Sequence, residues 1–247
     1  MKGYDAGSYG EHLADQYDDI TAGRTSAARE VVPVLADLAR ARGGRALELG
    51  VGTGRVALPL AASGIEVVGL DASEAMVERL REKPGGEDLP VVVGDFAEVP
   101  VDGTFGLVYV VFNTFFVLTS QDAQVRCFAN VADHLAPGGA FVIEAFVPDV
   151  TRFEHGNRLG VRVDLDRIGF DLVRHDATAQ LLTVQRVDIS TTGIRLDPLV
   201  LRYAWPAELD LMARLAGLEL QHRWRGWDGA DLTDTDESHV SVWVKPG

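Results

Sequence analysis

Gly50, Gly52 and Gly54 alternate with other residues directly after the apolar run 45–49, with Glu48 before them, Arg55 after them and Asp71 closing the next apolar run. Glycine reaches positive φ without a Cβ clash, so a turn of this kind between a strand and a helix lets backbone approach a ligand closely. An acid about 20 residues downstream is placed to accept hydrogen bonds from ribose hydroxyls. Together these residues read as a nucleotide-type cofactor site. A dinucleotide turn requires G-x-G-x-x-G, and Arg55 stands where that third glycine would fall. The pattern is G-x-G-x-G, which disfavours a nicotinamide dinucleotide and leaves the identity of the nucleotide open.

The run Glu48-Leu49-Gly50-Val51-Gly52-Thr53-Gly54 resembles the first motif of class I S-adenosylmethionine-dependent methyltransferases. The resemblance continues through Leu70-Asp71-Ala72-Ser73-Glu74-Ala75-Met76, Val93-Gly94-Asp95-Phe96 and Leu135-Ala136-Pro137-Gly138-Gly139-Ala140, in order, over about residues 5 to 147. It implies S-adenosyl-L-methionine as cofactor. On that reading Gly50, Gly52 and Gly54 let backbone pass the methionine portion, with Glu48 and Arg55 near its charged ends. Asp71 holds the ribose diol, with Ala72 of the same motif beside it. Asp95 and the backbone of Phe96 read the adenine, Met76 packs on its face, and Phe112 lines the donor pocket. Plainer alternatives stand beside these: a helix-surface Arg55, a capping Asp71, and Met76 and Phe112 as core.

Methyl transfer from a sulfonium is an in-line displacement, so positioning supplies much of the acceleration and few catalytic groups are needed. A base helps when the acceptor is an ammonium or a hydroxyl, and histidine is poised near neutral pH. His239, opening the last expected strand, and His155, after the fifth, are the base candidates, with His175 behind them. The segment Tyr9 to Asp18 resembles the lid helix of small-molecule methyltransferases, in which a tyrosine closes over the donor; Tyr17 is that tyrosine here, or else part of a core-facing stripe with Leu13 and Ile20. Tyr9, Asn113, Phe116, Trp224 and Trp227 are candidate acceptor-binding residues, since aromatic walls with few polar groups suit small ligands. Asn113 stands where amide and nucleobase methyltransferases carry Asn/Asp-Pro-Pro-Tyr/Phe. Thr114 and Phe115 replace the prolines, which argues against those acceptors.

The elements that must position these residues follow from patterning. Apolar strand candidates at 45–49, 66–70, 90–93, 105–111 and 140–147 alternate with helical patterns at 26–41, 55–63, 73–83 and 120–135. Ser73 and Ser120 precede two of these helices as N-caps would. The expectation is an α/β fold: a doubly wound, mostly parallel seven-stranded sheet with an antiparallel β cap. One methyltransferase domain spans 1–247, with a lid segment at 1–25 and the cap inserted at 151–205. The cap reads as period-two segments at 161–170, 171–190 and 194–205. A helix at 206–216 and strands at 218–224 and 240–244 complete the sheet, and the turn 225–238 falls on the active edge if the last strand is antiparallel.

Composition sets outer limits. The 247 residues are 47% apolar and carry a formal net charge of −14, which repels a phosphate backbone, so no nucleic acid is expected as partner. No apolar run spans a bilayer and Met1-Lys2-Gly3-Tyr4-Asp5 is no signal peptide, so no membrane association and a cytoplasmic location are expected. The single cysteine, Cys127, reads as helix packing, and scattered histidines imply no metal. Five arginines between 152 and 174 stand among acids, as a solvated mixed face or as partners for a substrate diphosphate or carboxylate. Exposed edges of the cap make a homodimer one way to bury them.

The function expected is methylation of a small metabolite, at an amino group ahead of a hydroxyl. The cap resembles, loosely, enzymes that methylate nucleotide-linked amino sugars in secondary metabolism. O-methylation, another reaction of an adenosylmethionine-binding fold, and a non-catalytic binding protein are the rival readings.

Overall fold

A computed structural model of the chain describes residues 7–14, 17–18, 25–153 and 156–247, without the side chains of Tyr9, His12 and 25–28. His155, most of the expected lid segment and the side chain of Tyr9 therefore lie outside the described residues. The central sheet has seven strands: β1 (Arg45–Leu49), β2 (Glu66–Asp71), β3 (Val91–Val93), β4 (Phe105–Val110), β5 (Leu135–Phe146), β10 (Glu219–Trp224) and β11 (Ser238–Val244), in the order β10-β11-β5-β4-β1-β2-β3. β1 lies parallel to both β2 and β4, so the strand order reverses beside β1. Crevices at such reversals, outside the carboxyl ends of the strands, are where open α/β sheets bind ligands. β11 runs antiparallel to β5 and β10, which brings the turn after β10 to that edge.

Strand β4 is buried at every position, which is why its sequence is an unbroken apolar run rather than an alternating one. Helices α2 (Thr25–Arg40) and α3 (Ala57–Ala62) cover one face of the sheet. Helices α5 (Gln121–His134) and α6 (Pro206–Leu215) cover the other, where Phe128, Phe141 and Trp243 pack edge to face. Ser73 caps α4 (Glu74–Arg81) by accepting from Met76 N at 3.2 Å, and Ser120 caps α5 by accepting from Ala123 N at 3.1 Å. Both serines are the expected N-caps. Pro137-Gly138-Gly139 lies within β5: Leu135 pairs with Phe105, the register slips, and Ala140 pairs with Leu107. The Pro-Gly-Gly acts as a bulge.

The cap is a four-stranded antiparallel sheet of β6 (Asn157–Val163), β7 (Arg167–Asp176), β8 (Leu181–Ser190) and β9 (Gly193–Arg202). Three segments were expected and four strands form. The period-two pattern runs unbroken across two turns, at Asp164-Leu165-Asp166 and at Gln180, whose φ is +56°. A buried arginine anchors the cap: Arg202 donates to Gln124 Oε1, Gln180 Oε1 and Glu208 Oε1, and Gln124 Nε2 donates back to the Arg202 carbonyl. No helix among the described residues is long and apolar enough to cross a membrane.

Candidate active site

The glycine turn leaves β1 with Gly50, Gly52 and Gly54 all at positive φ. A Cβ on Gly50 would stand 2.5 Å from Thr114 Cγ2, whereas one on Gly52 would meet nothing within 4 Å, so Gly52 presents open backbone. Its N–H donates to Asp71 Oδ2 at 2.7 Å, and Ser73 N donates to Asp71 Oδ1 at 2.9 Å. Asp71 therefore ties the turn to the start of α4 while remaining an acceptor, and burial raises its pKa. Asp95, exposed, accepts from Ala97 N at 2.8 Å, while the Phe96 ring is buried in the core. Met76 is packed against Leu13 of α1 (Ser8–Leu13) and Ala14, which follows it.

Glu48, on β1, is buried and accepts from Tyr109 Oη at 3.0 Å. Burial pushes its pKa up to about 8, against the lowering by Tyr109 and the Arg55 cation. The Arg55 guanidinium lies 3.8 Å from the Phe112 ring centre and 5.8 Å from that of Tyr17. Its Nη1 is buried without a hydrogen-bond partner. These residues enclose a cavity of about 20 Å³ against the glycine turn. An orphaned cationic donor, a buried carboxylate and open glycine backbone fit the carboxylate, ammonium and main body of a methionine moiety, and Asp71 fits the adjoining ribose. The side chains of Arg55 and Tyr17 must shift to admit it.

The lid residues are tied to this turn. Asp18 accepts from Thr53 Oγ1 at 2.7 Å and pairs with Lys83 at 2.6 Å, and Lys83 also donates to the Thr53 carbonyl. Glu11 of α1 accepts from Ser73 Oγ at 2.9 Å. Tyr17 thus lies against the cavity at the glycine turn.

Phe112 and Asn113 both have positive φ, +57° and +67°. Two consecutive non-glycine residues in that region mark a strained turn held by its surroundings. Glu144 accepts from Phe112 N at 2.9 Å, its carbonyl accepts from Asn113 N, and Asn113 Oδ1 accepts from Phe146 N at 2.7 Å. Burial raises the Glu144 pKa, opposed by the Phe112 N–H, by Trp227 and by the Arg55 cation. Replacing Asn113 with Ala orphans the Phe146 N–H and leaves a worse left-handed residue. We expect a loss of about 2–3 kcal/mol and a Tm drop of roughly 5–10 °C in a thermal melt.

Across the Asn113–Phe146 bond lies a second, larger cavity of about 570 Å³. Phe146, Phe153, Tyr203 and Trp205 form apolar walls; Asp149, Asp234, Asp236 and Glu237 supply acids, Arg152 and Arg158 the cations. Arg152 is paired with Asp149 and Glu237. Tyr203 Oη lies 3.0 Å from His175 Nε2, and Phe153 packs on that imidazole at 4.5 Å between ring centres.

Several expected site residues are placed elsewhere. His239 alternates with Val240 and faces α6, fully buried, with Nδ1 2.8 Å from Ser241 Oγ and Nε2 unpartnered; burial lowers its pKa to about 4. It lines neither cavity. Phe116 is buried core, edge to face with Phe146 beneath the larger cavity. Trp224 stacks on His222, and Trp224 and Trp227 pack on the α2 face of the sheet; the tryptophan of the larger cavity is Trp205. The buried Trp227 N–H has no well-formed hydrogen bond, yet it lies near enough to Glu144 to favour its ionised form. Glu144, Tyr109, Phe153, Tyr203 and Trp205 were missed. An acid inside the apolar run Phe141 to Phe146 was the available signal for Glu144.

A family model described as a methyltransferase domain matches residues 46–139. The CcbJ methyltransferase from Streptomyces caelestis is 40% identical and superposes with a TM-score of 0.91, covering 99% of this chain and 100% of its own. The cypemycin N-terminal methyltransferase from Streptomyces sp is 34% identical over 177 residues, 70% of this chain and 72% of the relative. The dTDP-4-amino-2,3,4,6-tetradeoxy-D-glucose N,N-dimethyltransferase of Saccharopolyspora spinosa is 29% identical over 204 residues, 76% of each.

Proposed function

Because the chain belongs to the class I S-adenosylmethionine-dependent methyltransferases, we propose that it methylates an amino group of a small metabolite, of the nucleotide-linked amino sugar class, in secondary metabolism. The observation that carries this reading is the aromatic, acid-rimmed cavity one hydrogen bond away from the donor turn. Aromatic walls suit the faces of a sugar ring, and rim carboxylates hold an ammonium. Arg158, beside the mouth, suits an anionic substituent. The dimethyltransferase of Saccharopolyspora spinosa and the N-terminal methyltransferase support an amine acceptor. We place the enzyme in the cytoplasm, acting as a homodimer.

S-Adenosylmethionine supplies an electrophilic methyl group on a sulfonium. The protein's part is to hold the acceptor nitrogen in line with it and to take the nitrogen's proton. Tyr203 lines the cavity and is hydrogen-bonded to His175 behind it, a pair able to relay a proton. Burial raises the Tyr203 pKa, so its phenol stays neutral and passes the proton on to the imidazole.

The test is incubation with S-adenosylmethionine and a panel of nucleotide-linked amino sugars, free amino sugars and phenols, with mass spectrometry of the products. A methylated amine supports the proposal, and methylation confined to hydroxyls overturns it. With the accepted amine, Tyr203→Phe is expected to lower kcat about tenfold and move the acid limb of the pH profile, with S-adenosylhomocysteine affinity unchanged.

A further inference from the structure

One face of the cap is apolar from edge to edge. The pairing of β6 to β9 sets Leu159, Val161 and Val163 beside Ile168, and beyond them Ile194 and Leu196, on the same side of the sheet. Eight large apolar side chains on this side, including these six, are between 37% and 74% exposed. The opposite side is built differently. Near the domain it carries Val173, Leu182, Val184 and Leu201 into the core. Farther out it carries a ladder of ion pairs, with Asp171 held by Arg162 and Arg186, and Asp188 by Arg167 and Arg195. The alternation of the strands is thus inverted at the distal end: charges are mutually neutralised on one side while apolar groups meet water on the other.

A contiguous apolar surface of this extent marks an interaction site rather than a solvated face. We propose that it is the interface of a homodimer, two copies of the cap sheet packing face to face; this rests on the methyltransferase reading of the chain only in that the same cap walls the acceptor cavity. The size fits. Four strands about 4.8 Å apart and about 30 Å long give a face on the order of 600 Å² before side-chain relief is counted, near the roughly 800 Å² per partner of a standard interface. The shape fits too, since aligned twisted sheets pack about 10 Å apart with interdigitating side chains. The charge argues for a second copy over a lipid surface: the net charge of −14 opposes contact with anionic bilayers, whereas the apolar part of the paired faces carries no charged side chain. Arg174 and Asn157 lie at the proximal end of the face and form its polar rim. In the dimer the partner backs the sheet whose other side carries Tyr203's partner, His175, and so stiffens the acceptor cavity.

Light scattering coupled to size exclusion, at micromolar concentration in 0.15 M and 0.5 M salt, tests this on the full chain. The expected mass is twice the 26.7 kDa of one chain, with dimerisation strengthened by salt. The double variant Val161→Glu/Leu196→Glu is expected to run as a monomer, while Leu215→Glu, on an exposed apolar residue of α6, stays dimeric. S-Adenosylhomocysteine binding, read by calorimetry, is expected to be the same in all three, so loss of the dimer and failure of the cofactor assignment are separate results. A monomeric wild type, a double variant that remains dimeric, or a wild type that binds lipid vesicles instead of itself overturns the proposal.

Discussion

Asp71→Ala is expected to raise the dissociation constant for S-adenosylhomocysteine at least a hundredfold in calorimetry. The carboxylate is nearly buried at the end of β2 and already orders its surroundings, with one oxygen on Gly52 N and the other on Ser73 N. A ribose diol donating to the same ionised group adds charge-assisted hydrogen bonds, each contributing about 1.5–3 kcal/mol. Truncation removes those and also releases the Gly52 N–H, so the turn that faces the methionine portion loosens with it. Asp71→Asn keeps the shape and one acceptor and should lose about tenfold. Circular dichroism separates lost binding from lost fold. Unchanged affinity in Asp71→Ala would remove the ribose assignment, and tighter binding of NAD than of the homocysteine product would return the dinucleotide reading.

The donor half of the site was legible because its information is local. Each motif pairs a strand end with the turn that follows it, and chain order alone lines those turns along one edge of a parallel sheet. Gly52, Asp71 and Arg55 accordingly meet at one turn. The larger cavity, the proposed acceptor half, is assembled from 146–153, 158, 182, 203–205 and 234–237, segments whose meeting depends on how the cap docks through Arg202. Nothing in their spacing reveals that contact. His239 shows a different limit. In Ser238 to Val244 both alternating sets contain apolar residues, Val240 and Val242 against Trp243, so parity does not tell which side of the strand faces the cleft. The placement of Trp243 among Phe128 and Phe141 settles it, and His239 goes with Trp243.

The second large effect is a pH dependence set by Glu48. Its pKa of about 8 means that the buried carboxyl is mainly protonated at neutral pH. Pairing with the ammonium of the bound methionine portion requires the ionised form, so binding releases a proton wherever the pH lies below 8. Affinity for S-adenosylhomocysteine should therefore rise nearly tenfold from pH 6 to 7 and about fiftyfold between pH 6 and 8. Glu48→Gln should flatten that slope. Stability moves oppositely. A carboxyl raised above its unfolded value of 4.5 contributes stability that is full below pH 4.5 and is lost as pH rises through 8. At pH 9 the glutamine variant, which Tyr109 can still reach, should be the more stable protein, by roughly 5 kcal/mol at most. Melting curves at pH 5 and pH 9 check this, together with calorimetry in buffers of differing ionisation enthalpy. A wild type whose affinity is flat from pH 6 to 8 would mean that Glu48 does not meet the ammonium. A variant that binds weakly yet melts higher at alkaline pH is the outcome expected of a residue kept for the ligand at a cost to the fold.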